Sequence, residues 1–194
     1  MIADFLHAVA QKDDELAEAA AAGFAALPEK QAAEVLRELL DLITAPEVDT
    51  RWWVIRAIAA LSNPLVPAFL IRALGDEHAS IRQCAALGLR MHPDAQAIPA
   101  LVIALADHDR LVARLASDAL VIIGEAAVPA LLEAVSAGDR AARLGAVRAL
   151  ASIGDQRSIP ALFAALDEDS AHIEYWATEG LDRMGVGMKL FSPD

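Results

Sequence analysis

The sequence predicts an all-α, right-handed solenoid of about twelve helices stacked in antiparallel pairs. The first observation is a period. Arg140–Asp169, RAARLGAVRALASIGDQRSIPALFAALDED, reads as two short helices with a turn at Gly154-Asp155, and it returns with drift about every 30–31 residues. The second is a nine-residue frame starting at residues 53, 81, 112, 142 and 173: WVIRAIAAL, IRQCAALGL, VARLASDAL, ARLGAVRAL and IEYWATEGL. Its fifth position is always Ala (57, 85, 116, 146, 177), its eighth Ala or Gly (60, 88, 119, 149, 180) and its ninth Leu (61, 89, 120, 150, 181). Spacings of three and four residues put these on one helix face, small where helices approach and leucine where the core is filled. The third is a matching pattern in the second helix of each pair. Leu70, Leu101, Leu131 and Leu162 align, followed by Ala73, Ala104, Ala134 and Ala165, and then by Leu74, Leu105, Val135 and Leu166. A helix pair of this size cannot bury its apolar face alone and must stack on its neighbours.

The chain is expected to form one solenoid domain over 1–194: a cap and degenerate repeat (1–48), repeats (49–185) and a tail (186–194). Ile2–Ala10 is the capping helix. Leu16–Leu27 then leads into PEKQAAEVLRELLDLI, with Pro28 expected at the first helical position, where a missing N–H is harmless. Leu36, Leu39, Leu40 and Ile43 make its apolar stripe. Pro99, Pro129 and Pro160 sit near the starts of second helices, with Pro67 one register earlier. The turns that follow are acidic: Gly75-Asp76-Glu77, Asp107-His108-Asp109, Gly138-Asp139 and Asp167-Glu168-Asp169. The last helix, Ala171–Met184, ends at Gly185 as a C-cap. The tail, with Met188, Leu190 and Phe191, is expected to fold back over its open face.

The runs ALASIGDQRSIPAL (Ala149–Leu162) and GEAAVPALLEAV (Gly124–Val135) resemble short HEAT repeats of the kind called phycobilisome-lyase HEAT-like. The resemblance covers roughly residues 50–185. It implies an armadillo-like solenoid and, for the bilin lyases of that class, a groove able to hold a linear tetrapyrrole. The matching residues here are repeat-core positions, which specify stacking and not chromophore chemistry.

Composition narrows the function classes. The chain has 194 residues, 56% hydrophobic and 23% charged, with net charge −12. Residues 1–50 carry −8 of that, leaving −4 for the remainder. An acidic chain is a poor partner for phosphate backbones, so no nucleic acid is expected. That also argues against the DNA glycosylases built from HEAT-like repeats. Charge, Pro or Gly interrupts every apolar run before a bilayer-spanning length, and the N-terminus lacks a signal-peptide pattern. A single cysteine, Cys84, excludes an intrachain disulfide. The expectation is a cytoplasmic protein with no membrane contact.

No constellation for catalysis, metal or cofactor is expected. The chain contains no His-Glu dipeptide of the kind that holds iron in the similar deoxyhypusine hydroxylases, and no zinc spacing. Neither a nucleophile elbow nor a phosphate loop is present. Asp107-His108-Asp109 and His172-Ile173-Glu174 read as a solvated turn and a helix start. Cys84 reads as a packed thiol. Trp53 falls in the core column, and Tyr175 and Trp176 are expected to close the end of the core.

The sequence therefore points to a non-catalytic scaffold binding a protein or peptide on the second helices, taken as the concave face. The freely varying columns there are Arg72, Ile103, Glu133, Ala164 and Gly75, Ala106, Ser136, Asp167. From these, Arg72, Ile103, Ala106, Glu133, Ser136, Ala164 and Asp167 are the candidate contacts, with Trp52 as a further aromatic contact. The alternative is a bilin lyase or isomerase with a tetrapyrrole in its groove.

Overall fold

The structure is a computed structural model describing residues 1–167 and 170–186. The acidic pair Glu168-Asp169 and the tail residues Met188, Leu190 and Phe191 lie outside the described residues. Within them are twelve α-helices and no strand. They fall into two compact units, Met1–Ala97 and Ile98–Asp194.

The first unit holds α1 (Ile2–Gln11), α2 (Asp14–Gly23), α3 (Glu29–Leu40), α4 (Val48–Ala60), α5 (Val66–Ala73) and α6 (Ala79–Met91). Helix α4 is its centre and packs against all five others. That explains a segment apolar on nearly every side: Trp53, Val54, Ile55, Ala57, Ile58 and Ala59 are all buried. The Phe5 ring meets Phe24 at 5.5 Å and Trp53 at 6.5 Å, both edge-on, so the capping helix α1 is anchored by aromatic contacts. Asp13 caps α2, its carboxylate accepting the Leu16 N–H at 3.0 Å. Pro28 differs from expectation. It is the N-cap of α3, held outside the helix by an extended ψ of 148°, while its carbonyl accepts from Ala32 N at 2.9 Å. Leu36 and Leu39 are buried, whereas Leu40 and Ile43 are half-buried near the helix end.

The second unit holds α7 (Ile98–Ala104), α8 (Arg110–Ile123), α9 (Val128–Ala137), α10 (Arg140–Ile153), α11 (Ile159–Ala165) and α12 (Ala171–Arg183). The first helices of the repeats form a row in which α10 packs between α8 and α12. The second helices back onto it, α7 on α8, α9 on α10 and α11 on α12. The acidic turns are helix starts. Asp109 accepts the N–H groups of Leu111 and Val112, each at 3.0 Å, and Asp139 accepts that of Ala142 at 2.8 Å. These bonds satisfy backbone donors that no helix can satisfy internally.

The repeat frame describes the core well. All five position-five alanines are fully buried, and so are the position-nine leucines to within 1%. Position eight is buried in four copies and half-buried at Ala60. Gly180 shows why that position is small: a Cβ there would stand 2.7 Å from Ala151 Cα. The run Arg110–Ala137 is long and apolar enough by composition to cross a bilayer. It is nevertheless two helices, of 14 and 10 residues, parted where Gly124 turns the chain at a φ of 76°. Neither reaches the ~20 residues a span needs.

Candidate functional site

Each unit contains a depression edged by arginine, and the two differ in how that arginine is engaged. In the first unit a pocket of about 510 Å³ lies among Ile43, Pro46, Phe69, Arg72 and the turn Gly75-Asp76-Glu77. Its inner wall is Arg51, an arginine only 7% exposed. The guanidinium donates from Nε to Asp76 Oδ2 at 3.0 Å and from Nη2 to Asp76 Oδ1 at 3.3 Å. Nη1 donates to the carbonyls of Ala45 and Pro46, at 2.8 and 3.2 Å. The third edge meets His78, whose Nδ1 accepts from Nη2 at 3.1 Å.

Burial alone would raise the Asp76 carboxyl. Hydrogen bonds from Arg51 and from the His78 N–H, with the Arg51 charge, outweigh it and hold the group below its ordinary value. Arg51 thus ties the loop before α4 to the turn before α6. No sequence signal marks this role, because an arginine is exposed by default and nothing in the repeat marks its burial.

A second first-unit pocket places Trp52 beside Val9, Lys12, Asp14 and Asp49. The Trp52 ring is half-buried and leans edge-on against Trp53 at 4.8 Å. Cys84 is 8% exposed, and burial pushes its thiol up to about 12. That is the profile of a packed group and not of an activated nucleophile.

The second-unit groove is the larger, at about 640 Å³, and lies along the row of first helices. Helix α8 supplies Arg110 and Arg114, α10 supplies Leu144 and Arg148, and α12 supplies His172 and Trp176. Leu105 reaches in from the end of α7 because position 145 is glycine. A Cβ there would stand 2.9 Å from Leu105 Cδ2. The Arg148 guanidinium lies 5.6 Å over the Trp176 ring and donates from Nη2 to Asp118. Ser117 donates to the Gly145 carbonyl at 3.1 Å, pinning α8 to α10. Arg110 and Arg114 are exposed, and no acid among the described residues pairs with them. Tyr175, expected to help close the core, is instead 59% exposed and, among the described rings, touches the edge of Trp176. Among the described residues no group of three His, Cys, Asp or Glu could hold a metal.

The seven candidate contacts from the second helices divide between the units. Arg72 is exposed in the first unit and lines the Arg51 pocket. The other six are in the second unit: Ile103 and Ala106 at the end of α7, Glu133 and Ser136 on α9, Ala164 and Asp167 at the end of α11. Among the described residues of that unit Ile103 is the most exposed large apolar side chain, at 76%, and Ala106 is half-buried. Glu133, Ser136, Ala164 and Asp167 are exposed, and α7 packs beside α9. Sequence reasoning missed Arg110, Arg114 and Arg148, the cations of the groove. A signal existed in the third and seventh frame positions, which vary from copy to copy as freely as the second-helix columns.

A family model described as HEAT repeats matches residues 2–90, 37–121 and 98–182. The chain belongs to the HEAT repeats. Among curated proteins, this HEAT-repeat chain is 39% identical over 89 residues to a phycocyanobilin lyase subunit beta of Pseudanabaena tenuis, covering 45% of the chain and 32% of that protein. It is 35% identical over 125 residues to a phycobilisome maturation protein of Synechococcus elongatus, covering 64% of the chain and 58% of the relative. The chain thus spans from a third to somewhat over half of these relatives' own length. Among solved structures it is similar to a computationally designed armadillo repeat protein for modular peptide recognition, with TM-score 0.50 and 16% identity over 89% of this chain and 93% of that one. That likeness shows the all-α repeat fold alone. The resemblance of the HEAT repeats to the phycobilisome-lyase class holds.

Proposed function

We propose that this HEAT-repeat protein handles an open-chain tetrapyrrole in a bilin-lyase-like role, holding the pigment in the second-unit groove and presenting it to a protein partner. The observation that carries the reading is the groove: an indole and two leucines beside three arginines, in a chain whose net charge is −12. An open-chain tetrapyrrole is a flat apolar π-system with carboxylate arms, and it needs an aromatic surface and cations together. A groove of about 640 Å³ is within the ~300–1,000 Å³ usual for small-molecule sites. The names of the relatives support this pigment class over the general scaffold expected from the sequence.

Cys84 is packed and its thiol is held protonated, so in this reading any thiol that reacts with the pigment belongs to the partner. The partner surface is the second-helix face of the second unit, around Ile103, Ala106, Glu133, Ser136, Ala164 and Asp167. The first-unit Arg72 and Trp52 are separate contacts. A cytoplasmic setting suits a free thiol and the absence of any possible intrachain disulfide.

The test is a visible-absorbance titration with phycocyanobilin, followed by incubation with an apo-phycobiliprotein subunit. A shifted and sharpened pigment band at stoichiometric ratio is expected, with faster covalent loading of the subunit than the pigment achieves alone. An unshifted spectrum at saturating protein would overturn the reading.

A further inference from the structure

The groove cations are arranged in a way that packing does not explain. Arg110 and Arg114 lie one turn apart on α8, so two like charges face the same side of one helix, an arrangement that destabilises the helix unless an anion joins them. Both are exposed, and no acid among the described residues pairs with either. Across the groove, Arg148 uses one nitrogen on Asp118, and its Nε and Nη1 make no hydrogen bond among the described residues. A guanidinium carries five N–H donors in a fixed fork suited to a carboxylate. The carboxylates present are Asp107 on the lip, whose Oδ1 already accepts the Asp109 N–H at 2.8 Å, and Asp118 on Arg148. Two separate clusters of unfilled donors therefore flank one apolar floor made by Trp176, Leu144 and Leu105.

We propose that this groove is selective for a dicarboxylate pigment. Arg110 and Arg114 take one carboxylate arm, Arg148 takes the other through Nη1 while keeping Asp118, and the pyrroles lie along the floor of Trp176, Leu144 and Leu105. The proposal rests on the tetrapyrrole reading above and adds that the free diacid, not an esterified or amidated pigment, is the form bound. The neighbouring pockets do not compete for this role. In the first unit Arg51 is already committed to Asp76 and two carbonyls, and the Trp52 pocket offers Lys12 among acids.

The experiment compares phycocyanobilin with its dimethyl ester by absorbance titration, using the full chain and its Arg110→Gln/Arg114→Gln variant. The wild type is expected to bind the diacid at least tenfold more tightly than the diester. The double variant should lose at least tenfold for the diacid while its diester affinity stays within twofold. Circular dichroism at 222 nm checks that the variant remains folded. A further variant, Arg148→Lys, keeps charge but not the separate Nη1 and Nη2 donors, and should weaken the diacid alone. Equal wild-type affinity for acid and ester would overturn the dicarboxylate proposal and leave the tetrapyrrole reading standing, as would a double variant indistinguishable from wild type. If neither pigment binds, both fall.

Discussion

The two units set arginines beside depressions of comparable size, about 510 and 640 Å³, and use them for opposite purposes. In the first, Arg51 is buried and its donors are occupied by Asp76, the Ala45 and Pro46 carbonyls and His78. In the second, Arg110 and Arg114 stand in solvent with no ion pair to an acid among the described residues, and Arg148 is only partly engaged. A saturated guanidinium fixes a turn. An unsaturated one, next to an indole in an acidic protein, is available to a ligand. Residue type alone does not separate the two cases; the number of occupied donors does.

Removing the saturated arginine should have the largest effect. Arg51→Ala strips a nearly buried Asp76 of its counter-charge and frees two loop carbonyls, which should destabilise the protein by about 3–5 kcal/mol in chemical denaturation. A loss below about 1 kcal/mol would mean the turn does not depend on it. Packing comes next. Gly180→Ala puts a methyl 2.7 Å from Ala151 Cα, where backbone must move, and should cost about 1–3 kcal/mol. By contrast, Arg114→Ala should change stability by less than about 0.5 kcal/mol, as expected for an exposed side chain, while weakening pigment binding.

The comparison also has a pH signature. Asp76 is held below its ordinary value of 3.8, so the stabilisation it provides is complete above that pH and is lost as pH falls through its lowered folded value. The stability gap between wild type and Arg51→Ala should therefore narrow in acid, measured as urea midpoints at pH 7 and near pH 2.5. A gap that widened would contradict the ion pair. The smallest effect concerns Cys84. With its thiol pushed up to about 12 by burial, it should react with a thiol reagent at pH 8 only as fast as the first unit opens, and at once in denaturant.

Much of the fold was legible in the sequence because packing repeats. Ala57, Ala85, Ala116, Ala146 and Ala177 face the same contact five times, and each is fully buried. The same logic explains what was missed. Arg51 stands two residues ahead of the frame, in a column that also holds Arg110 and Arg140 beside Ala79 and Ala171, so the column does not separate the buried arginine from the exposed ones. Arg114 and Arg148 sit at frame positions three and seven, where copies disagree, and Trp176 shares position four with Gly145, Cys84 and Arg56. A ligand site on a repeat protein is made where the repeat is broken. Such breaks look the same as drift until the helices are placed side by side. The second-helix columns with Ile103 and Glu133 vary from copy to copy, and the first-helix columns that line the groove vary as much.

The most direct question is whether the second-unit groove holds the pigment. Bound in a chiral groove against Trp176, phycocyanobilin should show an induced circular-dichroism band in the visible that saturates at one pigment per chain. In Trp176→Ala, which removes the floor of the groove, the band should be lost while the far-ultraviolet spectrum is retained. An induced band equally strong in Trp176→Ala, or no band in the wild type, would contradict pigment binding in the groove.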